Sequence, residues 1–400
     1  MAEQGSGLFD RVRRGVAIVG LLGLAIAAIL GGSDRQSRDF PNSPSVVGWP
    51  YDTGAARAKA ILAFVRSGPA SAIGYAKRSV LSDPISAQAV SIVGRAELYS
   101  QHLQQARLAF EVSGQLGWRD AFTQIYWLDQ ALQSKDYRVA AERLDALLRQ
   151  SPDDEDRYRF IAAMAATPEG RGALAKRLRL SPAWAQTLVT AVRDLPADDV
   201  MQRVEIMRLT GNGVWTCAST EQIVQRLIDL GMLDRAQDVW RLNCEQSNTL
   251  VYDGGFDKFD ILQRSTAFDW LPSPRGDADI SVVQDSAGGR SLAMEVSATV
   301  SLPVIRQIIV LKPGNYRLTW RTPGTNVLQA RALHPSLSCK SELALAEDGI
   351  QVPGTSDKWS LDFTLGNDCQ ARQLIFWLAP KAAVRLDDVS LAAVPRSGTR

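Results

Sequence analysis

The sequence predicts a multidomain α plus β protein with an N-terminal transmembrane helix, a helical-repeat α-solenoid and a C-terminal antiparallel β-sandwich. Three observations predict it. Residues 15–33 carry no charge, small and apolar residues recur at a fixed step between 53 and 154, and apolar and polar residues alternate after Asn248. A chain of 400 residues is long enough for about two domains besides a membrane segment.

The uncharged stretch 15–33 follows three arginines within residues 1–14. About 18 apolar residues can span a bilayer as a helix, so the stretch predicts a single-pass inner-membrane anchor. The basic flank favours the cytoplasm for residues 1–14 and the periplasm for the domains that follow. Ala25-Ile26-Ala27 also fits a signal-peptidase site, and secretion after cleavage is the alternative.

A Pro- and Ser-rich segment, 34–52, is typical of an extended linker. From Thr53 the chain is rich in Ala, Leu, Gln and Arg, and we predict a helical domain over 53–248. Its first part repeats at a fixed step, which predicts two helices in each of the units 53–86, 87–120 and 121–154. Three alanines mark the step: Ala72, Ala106 and Ala140.

This spacing resembles that of tetratricopeptide repeats, whose period is about 34 residues, and the resemblance implies a surface for a protein partner. The usual aromatic residue eleven places into each unit is replaced by Ala63, Glu97 and Ala131. A helical bundle with accidental register is the alternative.

The four cysteines form no C-x-x-C pair, which argues against a zinc ribbon. In an oxidising compartment they predict two disulfides, Cys217–Cys244 and Cys339–Cys369. The first pairing has a geometric reason, because Cys217 precedes one predicted helix and Cys244 ends the next, and a helical hairpin brings these ends together. Four free buried thiols are the alternative.

The charge balance, 45 Lys and Arg against 43 Asp and Glu, gives a net charge of +2 and no basic field for nucleic acid. The two histidines, His102 on a predicted helical surface and His334 in a predicted turn, are not placed as a catalytic base. The sequence contains no nucleophile elbow, P-loop or dinucleotide-binding pattern. We therefore expect a protein that is not an enzyme, with a glycan-processing enzyme as an unlikely alternative.

Short alternating runs predict strands within residues 249–394, ahead of a tail at 395–400. Four motifs occur there in order: DGGFD at 253–257, FDW at 268–270, KPGNYRL at 312–318 and RLDDVSL at 385–391. Together they resemble the jelly-roll carbohydrate-binding modules, which are galactose-binding-like domains found beside bacterial glycosidases. The resemblance implies a β-sandwich that binds a polysaccharide or oligosaccharide.

By match to that family, Asp257 and Asp387 are the expected ligands of one structural calcium. On the predicted strand, Asp387 lies on the same face as apolar residues. Its carboxylate would therefore point inward toward a cation. A bulge near Asp387 that lets it face water is the competing account.

Glycan binding requires an exposed aromatic face and polar neighbours. Trp377 and Gln373 alternate with apolar residues on one strand and are our main candidates. Trp320 is a further candidate, although its neighbours favour a core position. The combined expectation is an envelope-anchored scaffold for exopolysaccharide or surface-polysaccharide assembly or export. A pure protein-interaction scaffold without a glycan is the alternative.

Overall fold

A computed structural model provides the architecture of the chain. It describes residues 5–40, 53–150, 158–244, 249–262, 265–273, 276–284, 289–339, 348–366 and 371–395. The described chain is helical up to residue 243 and is dominated by antiparallel β-sheets from residue 271 onward. It divides into two compact units, residues 1–184 and 185–400.

The first helix, α1 (Gly5–Asp39), contains the candidate membrane segment Val12–Ser37, within which a stretch of 18 residues has a mean hydropathy of 2.3. This segment is long and apolar enough to cross a membrane, and a signal sequence would have the same character. The helix continues through residues 34–39, which belong to the start of the predicted linker; most of that linker, 41–52, lies outside the described residues. The physical reason is a buried contact of Asp34, whose Oδ1 accepts a hydrogen bond from the backbone N–H of Ala55 at 2.9 Å.

Three pairs of helices follow in residues 53–150. Their first helices begin at residues 53, 87 and 121 and their second helices at 69, 103 and 137, so both series keep the step of the predicted units. The six helices are α2 (Thr53–Ser67), α3 (Pro69–Ser82), α4 (Ala87–Tyr99), α5 (Leu103–Leu116), α6 (Ala121–Gln133) and α7 (Tyr137–Gln150).

Capping side chains and small residues explain these boundaries and contacts. Ser86 and Asp120 accept hydrogen bonds from the third backbone N–H of α4 and of α6, which is the usual N-cap geometry. A Cβ on Gly94 would lie 3.0 Å from the ring of Phe110, so only glycine allows α5 to approach α4 this closely. The three alanines that mark the repeat are fully buried. The tetratricopeptide assignment itself stays a prediction.

The first unit ends with α8 (Tyr158–Ala165) and α9 (Pro168–Leu178), and one buried carboxylate joins α7 to α9. Asp145 is 3% exposed. Its Oδ1 accepts from Trp184 Nε1 at 2.8 Å and from Arg149 Nε at 2.9 Å, while its Oδ2 accepts from Arg177 Nη2 at 2.6 Å. The charge of Asp145 is therefore satisfied by donors from three separate parts of the unit.

The second unit begins with four helices: α10 (Ala185–Thr190), α11 (Ala197–Thr210), α12 (Cys217–Asp229) and α13 (Leu233–Asn243). The predicted Cys217–Cys244 disulfide is confirmed, with 4.6 Å between the two Cα atoms. It joins the start of α12 to the end of α13, as the helical-hairpin argument expected. Cys369 and the side chain of Cys339 lie outside the described residues, so the second disulfide stays a prediction.

The hairpin α12–α13 packs on the loop that precedes the sheets. Trp240 Nε1 donates to Thr266 Oγ1 at 2.8 Å, and Glu221 Oε2 accepts from the backbone N–H of Ala267 at 3.1 Å. The change of composition at Asn248 lies between the last of these helices and the first strand. The boundary between the two compact units lies elsewhere, between Trp184 and Ala185.

The β domain of the second unit contains two antiparallel sheets. Its elements are β1 (Leu271–Pro272), β2 (Ala278–Gln284), β3 (Arg290–Val296), β4 (Leu302–Val310), β5 (Gly314–Arg321), α14 (Val327–Ala330), β6 (Leu333–Cys339), β7 (Ile350–Gln351), β8 (Lys358–Leu365), β9 (Ala371–Leu378) and β10 (Ala383–Val394). The strand order is β1-β4-β9-β6 in one sheet and β2-β3-β10-β5-β8-β7 in the other.

Buried side chains from both sheets form one apolar cluster, which includes Leu292 and Leu386 of the six-stranded sheet and Leu374 and Phe376 of the four-stranded sheet. The antiparallel strands predicted from alternation are confirmed. Strand β6 was not predicted, because Pro335 argues against a strand; its edge position in the sheet order explains how proline is tolerated. The assignment to the jelly-roll type stays a prediction.

Candidate functional site

Strand β9 places Trp377 on the outer face of the four-stranded sheet. Leu374, Phe376 and Leu378 are fully buried, whereas Gln373 and Trp377 point to the other side and are half-buried. This is the alternation that the sequence predicts, and it arises because successive side chains of a strand point to opposite faces.

A hydrogen bond fixes the indole of Trp377. Its Nε1 donates to Ser336 Oγ at 2.9 Å, and Ser336 lies on the neighbouring strand β6. His334, also on β6, is the cross-strand partner of Trp377, and its Nδ1 lies 2.9 Å from Asp348 Oδ1. The ring therefore has a fixed orientation and polar groups beside it.

Strand β4 adds polar chemistry on the opposite side of β9. Arg306 is exposed and is paired in register with Ile375, two residues from Trp377. Gln373 is paired with Ile308 in the same way. An aromatic ring flanked by Arg, Gln and His side chains combines an apolar platform with hydrogen-bonding groups, which is the arrangement that a sugar ring requires.

Trp320 does not belong to this face. It is 1% exposed, its ring packs against Phe376 at a centroid distance of 6.0 Å, and Gly349 lies directly against its edge. No ring face is left for a ligand, so the structure removes Trp320 from the candidate glycan site.

The two acids predicted to bind calcium lie around one glycine. A Cβ on Gly255 would lie 3.4 Å from Asp257 Oδ2 and 3.9 Å from Asp387 Oδ1. The loop is closed onto β10 by the backbone N–H of Val389, which donates to Gly254 O at 2.9 Å. The DGGFD motif and the LDD motif are thus adjacent although they are far apart in the sequence.

Strand β10 has a register shift at this point. The shift lies between Asp387 and Ser390, and Asp388 has a φ of 47°. The bulge considered from the sequence is therefore present, and Asp387 is half-buried, neither fully inward nor exposed. At this bulge Asp387 Oδ1 lies next to Gly255 of the DGGFD loop, and the role of Asp387 as a calcium ligand stays a prediction.

The loop 253–257, which contains Asp253 and Asp257 and which we call the acidic loop, carries unfavourable charge. Burial raises the pKa of Asp253 above its ordinary value, and the neighbouring carboxylate of Asp257 raises it further. Burial likewise raises the pKa of Asp387, with added repulsion from Asp388 and Asp257. Backbone N–H groups, such as that of Lys258 donating to Asp253, offset only part of this cost.

These residues fit a hard divalent cation, which prefers carboxylate and carbonyl oxygens and would neutralise the repulsion. Asp257 and Asp387 are the side chains that would hold it. Within the described residues, no group of three or more Asp, Glu, His or Cys side chains is arranged to hold a metal ion, so backbone oxygens or water would have to complete the coordination.

Two cavities in the described part of the β domain have linings that do not include Trp377. One of about 660 Å³ is lined by residues of the acidic loop together with Arg321, Lys358 and Asp388. Another of about 510 Å³ lies on the outer face of the six-stranded sheet, near Glu295 and Arg385. A ligand on Trp377 would therefore lie on an open sheet face.

No protein-family model and no curated protein matches this sequence. Among solved structures, a complex of TmCBM61 with β-1,4-galactotriose aligns at 14% identity over 37% of this chain and 100% of that chain, with a TM-score of 0.27. A CBM4 structure aligns at 15% identity over 36% of this chain and 99% of that chain, also at 0.27. The active domain of tailspike protein 4 from bacteriophage CBA120 aligns at 14% identity and 0.27, over 36% of this chain and only 21% of that one.

The structural neighbours thus include carbohydrate-binding modules, and these similarities are too low to transfer a ligand to this chain. Two residues of the site, His334 and Ser336, were not predicted from the sequence, because the region before Pro335 has the character of a turn. The apolar residues Leu333 and Leu337 on either side were the available signal for a strand.

Proposed function

We propose that this chain is a membrane-anchored binding protein, not an enzyme, whose β domain binds a glycan and whose helical pairs hold a protein partner. Trp377 carries the glycan half of the proposal. Its ring is half-exposed on a sheet face, and Ser336 holds it in one orientation. A ring fixed in this way loses little conformational entropy when a sugar stacks on it.

The groups beside Trp377 support binding. His334 is the cross-strand partner of Trp377 and is itself paired with Asp348. Arg306 and Gln373 offer hydrogen bonds to hydroxyl or carboxylate groups of a sugar. An open face suits an extended polysaccharide, since a long chain can continue past both ends of the platform.

The test is a glycan array probed with the full chain in detergent micelles, followed by measurement of affinity for the glycans that bind. Truncation of an aromatic anchor at the centre of an interface costs about 2 kcal/mol or more, which is about thirtyfold in affinity. Trp377→Ala should weaken binding by at least this factor while leaving the melting temperature nearly unchanged. Trp118→Ala, which removes a Trp that is 51% exposed in the other unit, is the matched control and should bind normally.

Two outcomes would reject the glycan site. If Trp377→Ala unfolds the β domain, Trp377 belongs to the core. If no glycan binds, or if Trp377→Ala binds as well as the native chain, the protein acts as a scaffold without a sugar ligand at this face.

We further propose that the domains lie in the periplasm and act in exopolysaccharide or surface-polysaccharide assembly or export. The uncharged stretch 15–33 and the arginines before it, Arg11, Arg13 and Arg14, support this placement. A structural calcium bound by Asp257 and Asp387 would hold the acidic loop against β10 and so stabilise the fold that presents Trp377.

A further inference from the structure

The turns between successive helical pairs carry exposed apolar side chains. The turn 83–86 joins α3 to α4 and contains Ile85, which is 79% exposed. The turn 117–120 joins α5 to α6 and contains Trp118, which is 51% exposed. Leu81 near the end of α3 and Leu116 at the end of α5 are also exposed. We call these two turns and the two leucines the inter-pair edge.

The turns inside the helical pairs have a different composition. They consist of residues 68, 100–102 and 134–136, which are all Gly or polar. Leu103 is exposed beside one of them, but it lies a full helix length, about 20 Å, from the inter-pair edge. Neighbouring large apolar residues in exposed turns mark an interaction surface. The inter-pair edge therefore needs an apolar contact that the other turns do not need.

Hydrogen bonds place the inter-pair edge beside the end of the apolar stretch of α1. Asp34 is the first charged residue after that stretch, and it accepts from the backbone N–H of Ala55 in the first turn of α2. Ser79, in the last turn of α3, donates from its Oγ to Thr53 O at 3.3 Å. The end of α3 and the turn 83–86 that follows it therefore lie close to the point where α1 would leave a bilayer.

The same connection recurs one helical pair further on. Ser113 of α5 donates from its Oγ to Ala87 O, at the start of α4, at 2.7 Å. A Cβ on Gly117 would lie 3.9 Å from the Cβ of Ala87. The turn that contains Trp118 is thus held next to the turn that contains Ile85. Both turns lie on the same side of the helical pairs as Asp34.

The side chains of the inter-pair edge suit the headgroup region of a bilayer. Trp is enriched at membrane–water interfaces, because its ring is apolar and its N–H is polar. The guanidinium carbon of Arg143 lies 3.9 Å from the centroid of the Trp118 ring, and Arg119 is exposed next to it. Arg side chains near a membrane surface attract anionic lipids. Large apolar residues combined with cations are typical of segments that lie in the interface.

We infer that the inter-pair edge lies on the surface of the bilayer that α1 crosses, with Ile85 and Trp118 inserted among the lipid headgroups. This inference rests on the proposed membrane anchor and adds a second contact with the same membrane. It commits to lipid because the hydrogen bonds of Asp34 and Ser79 fix the edge beside the end of the apolar stretch, which is where the surface of a spanned bilayer lies.

The test uses the native full chain in nanodiscs of phosphatidylethanolamine and phosphatidylglycerol. A small fraction of the lipid carries a photoreactive diazirine close to its headgroup, and lipid adducts are located by mass spectrometry of proteolytic peptides. We expect adducts on α1 and on the two parts of the inter-pair edge, residues 81–85 and 116–119. We expect none on residues 100–103 at the opposite end of the helices.

Three variants make the result specific. Ile85→Glu or Trp118→Glu should reduce the adducts on its own turn about tenfold or more, because withdrawal of one large apolar side chain from an apolar contact changes an equilibrium about tenfold to a hundredfold. Leu103→Glu is the matched control. It replaces an apolar side chain that is 62% exposed at the opposite end, and it should leave the adducts unchanged. Unchanged melting temperatures show that the variants are folded.

If α1 reacts with lipid but either turn does not, the inter-pair edge does not lie on the bilayer and the inference is wrong, while the membrane anchor stands. Adducts on residues 100–103 as abundant as those on the edge would also overturn the inference. If α1 itself forms no adducts, the proposed membrane anchor fails together with the inference. The glycan half of the proposed function is measured on Trp377 and is independent of these results.

Discussion

The buried carboxylate of Asp145 provides the sharpest test of how the first unit is held together. Asp145→Ala removes one acceptor from Trp184 Nε1 and one from each of Arg149 and Arg177. Trp184 is 1% exposed, so its N–H cannot turn to water, and Arg177 would lose its short ion pair with this carboxylate. Leaving the buried Trp184 N–H without an acceptor costs about 1–3 kcal/mol, whereas Arg149 and Arg177, whose side chains are 46% and 31% exposed, can be solvated by water.

The assay is urea unfolding of the full chain in detergent, with hydrogen exchange used to follow α7 and α9. With a slope of about 2 kcal/mol per molar urea, the midpoint of the first unit should fall by about 0.5–1.5 M. Glu142→Gln is the matched control, because it removes an exposed carboxylate from the same helix, where Arg138 is its i,i−4 partner. That change should cost less than about 0.5 kcal/mol. If Asp145→Ala destabilises no more than Glu142→Gln, the buried network does not hold α7 to α9.

Three other predictions test the rest of the chain. Reduction of the Cys217–Cys244 disulfide, whose partners are 27 residues apart, should lower the stability of the second unit by about 3–4 kcal/mol, and an unchanged denaturation midpoint after reduction would contradict this. Without metal, the pKa of Asp387 is higher in the folded chain than in the unfolded chain, so the folded chain holds the proton to a higher pH. Stability should therefore fall as pH rises from about 4 through the folded pKa. Calcium should cancel this fall and Asp387→Asn should abolish both responses, whereas indifference to calcium in calorimetry would remove the metal site. A periplasm-active reporter fused after Arg400 should be active, and activity of a cytoplasm-only reporter instead would reverse the topology.

The sequence predicted those features that depend on periodicity. The fixed step of the repeat predicted two helices in each of three units, and the first helices begin at the predicted unit starts, 53, 87 and 121, because the alanines that must be buried recur with the same period. Strand alternation placed Trp377 opposite Phe376, since the side-chain period of a strand is two and leaves no freedom once one face is buried. Cys217 and Cys244 were paired correctly from the geometry of a helical hairpin.

Other features depend on contacts between distant residues, which periodicity does not encode. Trp320 alternates with polar neighbours, which favours a core position, but the contacts that bury it come from Phe376 and Gly349, which are distant in the sequence. Ser336 and His334 reach the candidate site because β6 pairs with β9, a pairing hidden by Pro335.

The hydrogen bond between Asp34 and α2 limits the distance and orientation of the helical pairs relative to α1. A flexible tether of 19 residues, as a linker over 34–52 would be, has a typical end-to-end distance of about 24 Å and allows free rotation. In the structure the helix instead runs on for six residues past Ser33, about 9 Å, and its Asp34 binds the first turn of α2. The end of α1 therefore connects rigidly to α2 and does not act as a flexible tether. A ligand bound to the helical pairs would therefore keep a fixed distance and direction from α1.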